Sequence, residues 1–258
     1  MPTDETQWLT ALRHSHEHLA QLAAGLGSDG STRSSYCSDW TIAQVFSHLG
    51  SQAEIFELFV TAGLTGGDAP GVGDFGPIWE AWNARTPDAQ VTDSLAADDA
   101  LLRRVEALEA DELASFKLAA FGRELDAVDV LRMRLAEHAV HTWDVAVALD
   151  PEATVQADAA ALLVDGLGDV VGRAGKPTEE PGRIEVLTSE PERRFVLVAD
   201  GVRLEPASDE PTAGTLRLPA EALVRLVYGR LDAEHAGGVE LEGESLGIDD
   251  VRAIFPGF

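Results

Sequence analysis

Three residues on two predicted helices, His48, Glu137 and His141, have the types and the spacing of a metal site. Glu137 and His141 are four residues apart, so on a helix they lie side by side on one face. The phase of the neighbouring apolar residues predicts that this face, and the mixed face that carries His48, look toward the core. A buried carboxylate needs compensation, and two histidines with one carboxylate and open positions suit a catalytic divalent metal.

The same residues allow two other interpretations. His48 and Glu137 could hydrogen-bond each other inside a helix bundle without a metal. His138 lies about 60° from His141 around the helix and could replace one of the proposed ligands, although Glu137 and His141 are the better aligned pair.

Hydrophobic periodicity divides the chain into a helical first part and a mixed second part. Residues 1–152 are predicted to form a helix bundle, and residues 153–258 a small α+β domain. Four long helices of the bundle are predicted at residues 5–24, 41–62, 92–110 and 126–149. Ser38 or Asp39 is available as the N-cap of the second helix. The glycine-rich segment 64–76 is predicted to be a loop.

The second domain is predicted to open with an alanine-rich helix at residues 154–172 and a turn-rich linker at residues 173–182. Short apolar or alternating runs then predict strands at residues 183–187, 194–198, 202–204, 215–218 and 238–241. Further helices are predicted at residues 219–228 and 248–255.

Composition narrows the class of protein. The 258 residues are 45% hydrophobic and 25% charged, which is typical of a globular chain. The formal net charge of −26 argues against nucleic acid and anionic membrane surfaces as partners. A single cysteine, Cys37, excludes an internal disulfide and a cysteine-based zinc cluster. Without a signal-peptide pattern or an apolar run of about 18 residues, we expect a soluble cytoplasmic protein. The sequence has no coiled-coil pattern that would indicate an oligomeric state.

Two segments carry a more specific pattern, WTIAQVFSHL at residues 40–49 and EHAVHTWD at residues 137–144. Together they resemble the mycothiol-dependent maleylpyruvate isomerase family. The resemblance implies a DinB-like four-helix bundle followed by a sterol-carrier-like α+β domain, in which LVRLVYGRL at residues 223–231 is similar to a family segment that ends in Gly-Arg.

The resemblance also implies that His48, Glu137 and His141 hold a divalent metal, usually zinc, and that mycothiol is the thiol cosubstrate. Such a metal lowers the pKa of a bound thiol and yields a thiolate near neutral pH. In the isomerase the thiolate adds to the cis double bond of maleylpyruvate, rotation follows, and elimination gives fumarylpyruvate. An S-transferase acting on another small electrophile would need the same ligands.

Anionic substrates need cationic partners, and three arginines are candidate catalytic residues. By helical phase, Arg134 lies on the same helix face as Glu137 and His141. Arg85 follows a short tryptophan-containing segment, and Arg230 lies in the Gly-Arg segment implied by the resemblance. For each arginine, an ion pair at the surface or between domains is the alternative.

Two residues near the motifs carry weaker predictions. Cys37, just before the second helix, could be the nucleophile, but it is predicted to be an incidental small residue near a helix start, because enzymes of the resembled family use an external thiol. Asp144 either orients a ligand or lies on the helix surface. Two alternatives to the thiol-dependent enzyme stay open, namely a non-catalytic protein that binds a small ligand and a metal-dependent hydrolase in which water is the nucleophile.

Overall fold

The computed structural model describes residues 5–27, 29–37, 39–178, 182–243 and 247–257. The chain divides into two compact units, Met1–Ala153 and Thr154–Phe258. Unit 1 is mainly helical and unit 2 contains a sheet, which confirms the predicted α+β class with two domains. No helix formed by the described residues is long and apolar enough to cross a membrane.

Unit 1 is built around four long helices. Its described elements are α1 (Glu5–Gly25), α2 (Ile42–Thr65), α3 (Val72–Asn83), α4 (Pro87–Glu106), α5 (Ala110–Ser115), β1 (Leu118–Ala120), β2 (Arg123–Leu125) and α6 (Ala127–Ala146). Helix α2 packs against α4 and α6, and α1 packs against the same two helices, which makes a four-helix bundle. Fully buried apolar side chains fill its core, among them Leu19 of α1, Phe46 of α2 and Val145 of α6.

The second predicted helix begins at Ile42 behind a cap that was not predicted. The Thr41 hydroxyl accepts from the backbone N–H of Gln44 at 3.3 Å, and the Gln44 side chain accepts from the backbone N–H of Thr41 at 2.8 Å. This capping box satisfies two N–H groups that the helix itself leaves free. Asp39 is not the cap, and Ser38 lies outside the described residues.

Two further boundaries in unit 1 differ from prediction. Helix α4 begins at Pro87 rather than residue 92, because Thr86 caps it and proline is well suited to the first helical position. Helix α3 begins at Val72, inside the segment predicted to be a loop. The β1–β2 hairpin was not predicted, since strands of three residues are too short to show an alternating pattern.

Unit 2 contains a five-stranded mixed sheet with helices packed on it. Its described elements are α7 (Ala157–Leu163), α8 (Leu167–Ala174), β3 (Arg183–Ser189), β4 (Arg193–Val198), β5 (Arg203–Pro206), β6 (Gly214–Pro219), α9 (Ala220–Val227), β7 (Glu240–Gly243) and α10 (Ile248–Ile254). The strand order is β5-β4-β3-β6-β7. Only β3 and β6 pair in parallel among these strands. Helix α9 contacts both β3 and β6, and α8 contacts β5.

Candidate metal centre

Helices α2 and α6 bring the three predicted ligands together. Helix α6 follows the cap residue Asp126, whose carboxylate accepts from the backbone N–H of Asp129 at 2.8 Å. Glu137 and His141 then lie one turn apart on one side of α6. His48 comes from α2, which packs against α6. The three side chains form one cluster whose donor atoms all lie within 4.8 Å of one another.

The distances in this cluster suit a small divalent metal. His48 Nε2 lies 3.2 Å from Glu137 Oε2, and His141 Nε2 lies 3.8 Å from the same oxygen. In a tetrahedral zinc site, metal–ligand bonds of about 2.0 to 2.1 Å place neighbouring donor atoms about 3.3 Å apart. The 3.2 Å contact is also a hydrogen bond between His48 and Glu137, as expected for these residues without a metal. These distances therefore satisfy both interpretations.

The orientation of His141 favours a cation in the site. Its Nδ1 lies 2.8 Å from Oδ2 of Asp144, a fully buried carboxylate. The Asp144 carboxylate accepts a hydrogen bond from Nδ1 in this arrangement, which leaves the lone pair on Nε2, the ring nitrogen nearest Glu137. Two acceptors that face each other need a positive charge between them, which a metal ion supplies, as does a second proton on His141. In many metal sites a ligand histidine donates its other ring N–H to a carboxylate in this way.

The charge states of the other two ligands also suit a metal. Burial lowers the pKa of His48, which keeps its imidazole neutral at pH 7 and free to coordinate. For Glu137, burial raises the pKa, but the hydrogen bond from His48 and the nearby positive charges outweigh burial and bring the pKa to about 2. Glu137 is therefore ionised at neutral pH, and the donor set of one carboxylate and two imidazoles fits a divalent cation.

Trp40 covers part of the cluster. Its ring centroid lies 5.3 Å from that of His48 and 6.1 Å from that of His141, and the two histidine rings lie 4.5 Å apart. The side chain of Glu137 nevertheless remains 38% exposed. The centre is therefore walled by aromatic rings and open to solvent at the carboxylate, where a small molecule could enter.

His138 belongs to a different cluster in the interior of unit 1. It is fully buried, its Nε2 lies 2.9 Å from Asp98 Oδ2, and Ser15 Oγ lies 2.8 Å from its Nδ1. Asp98 also contacts His16 Nδ1 at 2.7 Å and accepts from Arg134 Nη2 at 2.6 Å. The guanidinium already balances the charge of Asp98, so a second metal ion in this cluster would be repelled. The structure thus points His138 away from His48 and Glu137.

The three predicted catalytic arginines lie in different surroundings. Arg134 is only 1% exposed, so solvent and a dissolved anion do not reach its guanidinium, which is paired with Asp98 in the interior. We therefore do not assign substrate binding to Arg134. Arg85 stacks on the Trp82 ring at 3.5 Å and pairs with Glu54, which lies about 120° from His48 around α2.

Arg230 belongs to unit 2, in the turn that follows α9. Its Nη1 donates to the carbonyl of Tyr228 at 2.6 Å. Gly229 between them adopts φ of 73°, and a side chain there would meet the backbone of Gly257. This turn requires glycine, which explains the Gly-Arg pair in structural terms. The catalytic role of Arg230 stays a prediction.

The fold and the site define a two-unit α+β protein with a candidate His-Glu-His metal centre in a helix bundle. Residues 12–146, just over half of the chain, match the family model described as "Mycothiol maleylpyruvate isomerase N-terminal domain", and the chain belongs to this family.

The fold also matches solved structures. A crystal structure of the mycothiol-dependent maleylpyruvate isomerase superimposes with a TM-score of 0.70 at 17% sequence identity, over 95% of this chain and 95% of that chain. A histidine-to-alanine mutant of that isomerase gives a TM-score of 0.69 at the same identity and coverage. At this identity the similarity shows the fold. No curated protein matches the sequence.

Proposed function

We propose that the chain is a metal-dependent enzyme that uses mycothiol as a thiol cosubstrate and isomerises maleylpyruvate or a closely similar small electrophile. The observation that carries this proposal is the cluster of His48, Glu137 and His141, in which His141 Nε2 lies 3.8 Å from the Glu137 carboxylate and His141 Nδ1 is bonded to Asp144. Membership of the family supports the thiol and the class of substrate. Zinc is the proposed metal, because two imidazoles and a carboxylate with an open position form a zinc ligand set. A cytoplasmic location is part of the same proposal.

When bound, the metal supplies a lowered pKa for a thiol at its open position, and hence a nucleophile near pH 7. The chain's residues prepare this position. His48 and His141 would supply imidazole nitrogen donors, and Glu137 would add the negative charge that retains a divalent ion. Asp144 holds the Nδ1 proton of His141, which fixes the tautomer of that ligand. Trp40 shields one side of both rings from water.

In the proposed reaction, the thiolate of mycothiol adds to the cis carbon–carbon double bond of the substrate, and the electron pair of that bond moves onto the adjacent carbonyl system. The former double bond is then single and can rotate. Collapse of the enolate expels the thiolate and restores the double bond in the trans form, so the thiol is regenerated. An S-transferase would stop after the addition.

The test combines metal content with activity. We would compare wild type with His48→Ala and Glu137→Gln by elemental analysis after dialysis without chelator, and assay each with maleylpyruvate in the presence and absence of mycothiol. We expect close to one zinc per wild-type chain, strong depletion in both variants, and isomerisation that requires both metal and thiol. Asp99→Ala, which removes a partly exposed carboxylate on α4, is the control and should retain metal and activity.

Other outcomes would identify other functions. Metal without isomerisation, but with thioether formation on other electrophiles, would identify an S-transferase. Turnover of an ester or amide without any thiol would identify a hydrolase. A wild-type chain that neither retains nor takes up a divalent metal would refute the catalytic proposal and favour a small-ligand-binding protein.

A further inference from the structure

The single cysteine of the chain lies directly behind the candidate metal centre. The Cys37 thiol donates to Asp144 Oδ2 at 3.2 Å, and this oxygen is the one that accepts from His141 Nδ1 at 2.8 Å. Cys37 and Asp144 are 107 residues apart in the chain. A continuous hydrogen-bonded path therefore runs from the thiol through Asp144 to His141, whose Nε2 faces the metal position.

The loop that carries Cys37 is held in place by several bonds. The carbonyl of Cys37 accepts from the backbone N–H of Trp40 at 2.8 Å and from Ser35 Oγ at 3.2 Å. The backbone N–H of Tyr36 donates to the carbonyl of Asp144 at 3.1 Å, which ties the loop to the last turns of α6. The thiol is thus placed by the fold, and the prediction that Cys37 is an incidental small residue is not supported.

A buried carboxylate needs several donors to hold one orientation. Asp144 is fully buried, and the thiol supplies one of its hydrogen bonds on the oxygen that also holds His141. Loss of the thiol leaves that oxygen with less support, so that the carboxylate can rotate and the His141 ring with it. Partners behind the ligands of a metal site influence metal affinity in this way.

We propose that Cys37 is a positioning residue of the metal centre, which acts through Asp144 to hold His141 in its ligating orientation. This inference rests on the metal centre of the proposed function. It assigns Cys37 neither as a ligand nor as a nucleophile. A thiolate beside the Asp144 carboxylate would place two negative charges in contact, whereas the protonated thiol makes a favourable bond.

The experiment measures metal binding by the full-length chain. Zn²⁺ affinity is determined by competition with a chelating indicator, and the visible spectrum of the Co²⁺ form reports the ligand geometry. The variants are Cys37→Ala, which removes the donor, and Cys37→Ser, which retains one. Ser34→Ala is the matched control, because Ser34 lies in the same loop with an exposed side chain.

We expect Cys37→Ala to weaken Zn²⁺ binding by about 2- to 10-fold, the effect of one hydrogen bond, and to shift the Co²⁺ spectrum. Cys37→Ser should stay within about twofold of wild type, since a hydroxyl donates a bond of similar strength. Ser34→Ala should not change either readout. In an Asp144→Ala background, Cys37→Ala should have no further effect, because the residue through which the thiol acts is gone.

Several results would overturn the inference. Wild-type affinity and spectrum in Cys37→Ala would remove the proposed role, and equal losses in Cys37→Ser and Cys37→Ala would show that hydrogen bonding is not the cause. A persistent effect in the Asp144→Ala background would show that Cys37 acts by another route. A thiolate-to-cobalt charge-transfer band that disappears in Cys37→Ser would make Cys37 a ligand.

Failure of the inference is distinguishable from failure of the proposed function. If wild type binds metal and His48→Ala does not, the metal centre stands whatever the Cys37 variants show. If wild type binds no metal, the proposed function and the role of Cys37 are both refuted.

Discussion

Removal of the Asp98 carboxylate is expected to destabilise unit 1 strongly. Asp98 is 1% exposed and pairs with Arg134, which is equally buried. Asp98→Ala would leave the guanidinium in the core without its counter-charge, and its Nε and Nη1 have no hydrogen-bond partner among the described residues. Breaking a buried ion pair from one side costs about 3 to 5 kcal/mol.

Urea unfolding followed by tryptophan fluorescence measures this cost in unit 1 alone. All tryptophans of the chain lie in that unit, at Trp8, Trp40, Trp79, Trp82 and Trp143. With a urea m-value of about 2 kcal/mol per molar, the expected loss lowers the midpoint by about 1.5 to 2.5 M. The fluorescence signal therefore reports the unfolding of unit 1.

The neighbouring residue on α4 provides the matched control. Asp99 pairs with Arg13 at 2.8 Å, but its side chain is 32% exposed. Asp99→Ala should cost no more than about 1 kcal/mol, because exposed ion pairs contribute little. The double substitution Asp98→Leu with Arg134→Met should recover part of the loss, since it removes the unpaired guanidinium, although His16 and His138 still lose their contact with Asp98. Equal effects of Asp98→Ala and Asp99→Ala would refute the reasoning.

Two further predictions concern the same unit. Burial raises the pKa of Asp98, but His138 and Arg134 lower it more, so the folded-state pKa lies well below the ordinary 3.8. The stability that Asp98 contributes through this shift is fully present above the ordinary pKa of 3.8 and is lost as the pH falls toward the folded-state pKa. The gap between wild type and Asp98→Ala should therefore narrow in urea titrations below pH 3.8. Gly50→Ala should cost about 1 to 3 kcal/mol, because the added methyl would overlap the buried Trp82 ring. The same change at Gly73, a helical glycine with open space around it, should be neutral or stabilising by up to about 1 kcal/mol in the same assay.

The residues of the candidate ligand cluster could be predicted from the sequence because the spacing that indicates them lies within single helices. Glu137 and His141 are one helical turn apart, and the apolar residues around them fix which side of α6 faces inward. His48 follows from the same argument on α2. Helical periodicity thus indicates the face of each ligand, and the packing of α2 on α6 brings the two faces together.

The residues that support the ligands could not be predicted in the same way. Cys37 lies in an irregular loop, where periodicity gives no direction, and its contact with Asp144 spans 107 residues. Asp98 lies on a helix with many acidic residues, and nothing local distinguishes it from the partly exposed Asp99. Their roles depend on tertiary packing, which a pattern of residue types along one helix does not encode.

The two polar clusters meet on α6, and this arrangement relates the buried ion pair to the metal centre. Glu137 and His141 belong to the candidate metal cluster, and Arg134 and His138 contact Asp98 on α4. A rotation of α6 by about 20° would move side-chain atoms about 6 Å from its axis by about 2 Å. Metal sites tolerate errors of only about 0.2 Å in ligand distance. The close-packed apolar side chains of the bundle and the directional bond from Arg134 to Asp98 both oppose such a rotation. The buried ion pair therefore helps to limit the rotation of the helix that carries two of the three proposed ligands, although neither of its residues is among them.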